Sequence, residues 1–67
     1  MKEADRLTKY EAFQRADDEW QRQLVAAWGE GYAAEARYKP SGRGQEGTPL
    51  RRAYDDREAA RLAWEAA

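Results

Sequence analysis

The sequence predicts an all-α protein, built as an antiparallel helical hairpin, and three observations lead there. Alanine is very frequent, Ile is absent and Val occurs once, while most other positions are Glu, Arg, Gln, Leu or Asp, a set with high helix and low strand propensity. Apolar residues recur at steps of three and four, the period of one helix face. Both prolines and three of the five glycines fall within residues 39–49, where they punctuate the chain once and strongly. A single small domain over residues 1–67 follows, with a helix at about 8–38, a loop at 39–48 and a shorter helix at about 49–66.

The first helix is expected to start at Thr8, because Thr8-Lys9-Tyr10-Glu11 fits a capping box in which hydroxyl and carboxylate satisfy each other's end of the turn. Asp5 and Lys9 stand four apart and offer an earlier start. Tyr10, Phe13, Ala16, Trp20, Leu24, Ala27, Trp28, Gly31, Ala34 and Tyr38 then form one stripe, and Glu11–Arg15 and Asp18–Arg22 place acid before base on the other side. Gly29 and Gly31 interrupt the pattern, each at about 1 kcal/mol relative to alanine. We take the helix as continuous or mildly kinked, with Ala27, Gly31 and Ala34 as a small-residue seam; the alternative is a break, with Gly29 as a left-handed cap.

The last helix has a clear start. Thr48 is a good cap, and Pro49 occupies the first helical position, where a missing N–H is no loss. Leu50, Ala53, Tyr54, Ala60, Trp64 and Ala67 share a face, with Arg57 and Arg61 along its margin. Closing the hairpin sets Leu50 toward Tyr38 and Trp64 toward Leu24. At 1.5 Å per residue the first helix would run about 45 Å and the last about 27 Å. Tyr10, Phe13 and much of Trp20 would then lie uncovered, and an apolar stripe of that kind marks an interface. The expected partner is a second copy that completes a four-helix arrangement through Tyr10, Phe13, Trp20 and Leu24; a different protein could take that role.

Sixty-seven residues bury only about 60% of the surface the unfolded chain exposes, so a core this small normally needs reinforcement. The sequence has no Cys and no His, so disulfides are impossible and zinc, haem or iron–sulfur sites lose their usual ligands. No metal or other cofactor is expected. The same two absences remove the favoured general acid–base group and the strongest nucleophile, and no enzyme is expected. Asp17-Asp18-Glu19 and Asp55-Asp56 with Glu58 are read as solvated helix faces, since neighbours on a helix point about 100° apart and do not converge on an ion. Gly42, Gly44 and Gly47 match the spacing of a dinucleotide-binding loop, but no strand precedes them. No apolar run approaches the ~20 residues of a membrane span and the start is polar, so a cytoplasmic protein without a membrane role is expected.

The overall charge of −1 hides an asymmetry. Arg37, Lys39, Arg43, Arg51 and Arg52 stand within residues 37–52 against Glu46 alone, a local net charge of +4. With Tyr38 beside them, these residues form a candidate contact for nucleic acid, the ribosome or a protein partner, because phosphate binding combines cations with aromatic stacking surfaces. Arg51 and Arg52 also occupy the first turn of a helix, where the dipole disfavours cations; the alternative is pairing with Asp55 and Asp56 four residues on. The leading functional expectation is a non-enzymatic protein–protein interaction module that forms a homodimer, with nucleic-acid or ribosome association as the alternative.

Gly31-Tyr32, a proline loop, Leu50 and the terminal Ala63-Trp64 together faintly resemble the ribosome modulation factors, small two-helix bacterial proteins that bind ribosomes. The chain departs from them in its near-neutral charge and glycine-rich loop. Its general style is similar to that of small accessory proteins of bacterial mobile elements.

Overall fold

The computed structural model describes residues 2–67, and among them it is all-α. Helix α1 spans Lys2–Trp28, α2 Glu30–Ala36 and α3 Pro49–Glu65, with a 3-10 turn at Pro40–Arg43 between α2 and α3. At 1.5 Å per residue the 27 residues of α1 run about 40 Å, which matches the long dimension of the molecule, 40 × 22 × 16 Å.

Helix α1 starts before the expected cap. Thr8 lies inside it, and its hydroxyl donates to the Ala4 carbonyl at 2.9 Å instead of capping a first turn. The preceding turn is helical because its residues are good helix formers and Lys9 pairs with Asp5 at 3.2 Å.

The continuous first helix is not what forms: the chain breaks at Gly29. Its φ of 83° and ψ of 159° lie in a region essentially reserved for glycine. The Gly29 N–H closes α1 onto the Val25 carbonyl at 2.8 Å, and its own carbonyl accepts from Ala33 at 2.9 Å to open α2. One glycine thus serves both helix ends, with no side-chain cap. Gly31 has nothing within 4 Å of where a Cβ would sit, and Ala27, Gly31 and Ala34 are exposed. The expected seam is therefore not a contact; the break rotates Ala33 and Ala36 inward in its place.

This reversal reorganises the rest. Helix α2 returns along α1, so that Arg37 at its end reaches Gln21 and Asp17. The 3-10 turn then sets the Gly42 carbonyl 2.8 Å from the Trp20 indole nitrogen and the Ser41 carbonyl 3.2 Å from that of Trp28. Gly42 is required here: a Cβ would lie 2.1 Å from the Ala36 carbonyl oxygen. Helix α3 begins as expected, with Thr48 Oγ1 accepting from the Arg51 N–H at 3.2 Å and Pro49 next in line.

Because α3 starts beside the last turns of α1, near Ala27 and Trp28, and runs back along it, it covers the half that the sequence left bare. Trp20 meets Tyr54 with ring centroids 5.6 Å apart, and Phe13 and Tyr10 meet Trp64 at 5.5 and 4.9 Å. The contacts expected between Leu50 and Tyr38 and between Trp64 and Leu24 are displaced accordingly. Trp20, Leu24, Ala33, Ala36, Leu50 and Ala53 make the core, with Val25 and Tyr54 packed against it. Trp20 is 3% exposed and Leu24 is fully buried. The open stripe of Tyr10, Phe13, Trp20 and Leu24 is thus corrected: Trp20 and Leu24 are sealed within one chain and Phe13 is half-buried. Among the described residues no helix is long and apolar enough to cross a membrane.

Candidate functional site

A cleft of about 250 Å³ opens where the end of α2, the 3-10 turn and the middle of α3 meet. It is lined by Trp20, Tyr38, Pro40 and Tyr54 and by the charged residues Arg37, Lys39, Arg43, Arg57 and Glu58. Four cations therefore face one carboxylate.

Trp20 holds the floor. Its indole N–H is bonded to the Gly42 carbonyl, and the guanidinium carbons of Arg37 and Arg57 lie 4.7 and 4.9 Å from its ring centroid. Both arginines converge on Asp17 Oδ1, Arg57 Nε donating at 2.7 Å and Arg37 Nη2 beside it. Asp17 is half-buried, and burial pushes its carboxyl pKa up; the hydrogen bonds from Arg57 and then Arg37, with their charges, outweigh this and leave it below the ordinary value. The deep cations are thus engaged: two guanidiniums share one carboxylate, and three helices are tied at one point.

The rim is different. Lys39 pairs with Glu35 at 3.5 Å across two solvent-exposed side chains, an attraction worth little. Arg43 makes no ion pair among the described residues and lies 6.0 Å from the Tyr54 centroid. Glu58, the one carboxylate in the lining, accepts from Arg61 at 2.7 Å and from the Tyr54 hydroxyl at 3.3 Å. The Arg61 hydrogen bond, against a smaller upward push from burial, holds its carboxyl below the ordinary value. The cleft is therefore cationic at its mouth. There Tyr38 is 85% exposed, the most exposed large apolar side chain among the described residues.

The structure gathers Arg37, Tyr38, Lys39 and Arg43 from the basic segment but separates Arg51 and Arg52 from them. These two line another depression with Asp55 and Asp56, and Arg51 pairs with Asp55 at 3.1 Å. The cation at the start of α3 is thus locally compensated one turn later. Trp20, Tyr54, Arg57 and Glu58 join the cleft from outside the basic segment: Trp20 precedes it on α1, the other three follow it on α3, and they meet it only through the α2 reversal.

Two other surfaces are less polar. Ala27, Trp28, Pro40, Ser41, Gly44, Gln45, Thr48 and Leu50 line a depression beside the 3-10 turn, with Trp28 45% exposed. At the opposite end Leu7, Tyr10 and Trp64 form a notch of about 260 Å³ with Glu3 and Arg6.

Comparisons of the chain with protein-family models, curated proteins and solved structures find no match, so the likeness to ribosome modulation factors supports no family assignment.

Proposed function

We propose that the protein is a non-enzymatic interaction module whose working surface is the cationic cleft between α2 and α3, and whose partner presents negative charge. The observation that carries this reading is the cleft's rim: Arg43 has no counter-ion among the described residues, Lys39 pairs only loosely with exposed Glu35, and Tyr38 stands exposed beside them, while Arg37 and Arg57 below are held by Asp17. An exposed aromatic beside weakly paired cations contributes little to the fold and is suited to contact. Amide chemical-shift mapping tests this. On titration with polyglutamate, heparin or an oligonucleotide at low salt, shifts should concentrate at residues 37–43 and 54–58; silence toward every one of these anions refutes the reading.

A second reading retains self-association but moves it. Trp20 and Leu24 are no longer part of the surface, whereas Leu7 is 58% exposed and flanks the Tyr10–Trp64 notch. A homodimer through this end would bury Leu7 and Tyr10 and cover the margin of Trp64. Sedimentation velocity should then show concentration-dependent dimerisation that Leu7→Glu abolishes; a monomer throughout the micromolar range excludes it.

A further inference from the structure

We propose that the cleft takes one unstacked nucleotide of a single-stranded nucleic acid, its base against Tyr38 and its phosphate between Arg43 and Lys39. This deepens, and rests on, the reading of the cleft as the working surface. Tyr38 stands almost wholly in solvent, so its ring has a free face of the kind on which bases stack with little regard for sequence. Arg43 and Lys39 line the same cleft. One has no ion pair among the described residues and the other only a loose one with exposed Glu35, so both can turn to a phosphate at small cost.

Size and charge narrow the ligand further. At about 250 Å³ the cleft is smaller than the 300–1,000 Å³ typical of pockets that enclose a drug-sized ligand, and it suits one base with its phosphate. Arg51 and Arg52 lie apart from the cleft in a depression shared with Asp55 and Asp56, so the rim cations do not continue into an extended basic track for the closely spaced phosphates of a duplex. An acidic peptide would use the rim cations but leave Tyr38 idle. A phosphotyrosine would seek arginines at the bottom of the cleft, and those already share Asp17.

The test is fluorescence anisotropy with a labelled oligothymidylate of about 20 nucleotides, a duplex of equal length, and an acidic phosphotyrosine peptide. The single strand should bind best. One neutralised phosphate at about 0.7 gives a log–log salt slope near −0.7, or about a 2.6-fold loss between roughly 50 and 200 mM salt. Tyr38→Ala should weaken binding by about 5- to 150-fold, the range for loss of one stacked base, and Arg43→Ala should weaken binding and flatten the slope. Arg52→Ala, outside the cleft, should bind as the unaltered protein does. Tyr38, Arg43 and Arg52 are all exposed, and circular dichroism confirms that each variant is folded. Peptide binding without oligonucleotide binding overturns this inference while leaving the anionic-partner reading standing; no binding by any probe overturns both. Oligonucleotide binding indifferent to Tyr38→Ala overturns the stacked nucleotide.

Discussion

Asp17→Asn should be among the most damaging conservative changes in the protein. The substitution keeps the shape of the side chain but removes the charge on which Arg37 and Arg57 converge. Breaking a buried ion pair costs about 3–5 kcal/mol, whereas a fully exposed pair is worth at most about 1 kcal/mol. Asp17 is 24% exposed and its partners 20–21%, between these limits, and the Asn carbonyl can still accept one hydrogen bond. About 2 kcal/mol is the resulting expectation. A domain of this length has a total stability of about 3–10 kcal/mol, so the loss is a large part of the whole. At about 4–8 °C per kcal/mol for domains of this size, thermal unfolding followed by far-UV circular dichroism should shift down by about 8–16 °C. Arg22→Ala breaks an exposed pair with Glu19 and should stay within about 0.5 kcal/mol of the parent. If Asp17→Asn also stays within about 0.5 kcal/mol, with an unchanged urea m value, the three-helix tie at Asp17 is not a source of stability and the argument fails.

The glycines should respond in opposite directions. Gly31→Ala, in a helix with open space around it, should stabilise by up to about 1 kcal/mol; Gly29→Ala, which forces a side chain into positive φ, should cost about 1–3 kcal/mol; and both are read by urea denaturation. Gly42→Ala should be worse than either, because its methyl meets the Ala36 backbone and the 3-10 turn must move away from Trp20. Asp17 and Glu58 are held below their ordinary values. Their stabilisation is therefore complete above the unfolded values near pH 4 and is lost as pH falls through the lower folded values. The urea midpoint should drop below about pH 4, and Asp17→Asn should show a shallower drop. Trp20→Phe leaves the Gly42 carbonyl without its donor, and with the lost packing should cost about 1–3 kcal/mol; a silent substitution would show that this bond does not hold the 3-10 turn.

The all-α class and the start of α3 were legible because they depend on local physics. Alanine-rich composition, a 3.6-residue apolar period and the Thr48-Pro49 pair act over one or two turns, and neighbours along the chain are enough to specify them. Helix α1 was legible in kind but not in extent, since Thr8 can either cap a helix or donate back to Ala4 within one. The four rim and floor residues Arg37, Tyr38, Lys39 and Arg43 were marked by charge and by the exposed position of a loop junction. Arg51 and Arg52 carried the same mark, and only their place in a separate depression with Asp55 and Asp56 sets them apart from the cleft.

Local preferences along the chain suffice to make it helical, to divide it at one glycine- and proline-rich segment, and to set its segment of net positive charge beside Tyr38. Tertiary structure decided whether Gly29 continues a helix or reverses it, because both conformations are locally open to glycine and the choice lies in what Ala33 and Ala36 can bury. From that single reversal came the register of α3, the covering of Phe13 and Trp20 within one chain, and the meeting of Trp20, Tyr54 and Arg57 with the basic segment. Contacts between residues 20, 37 and 57 are set by the path of the backbone through space, and no local preference at any one of those positions encodes them.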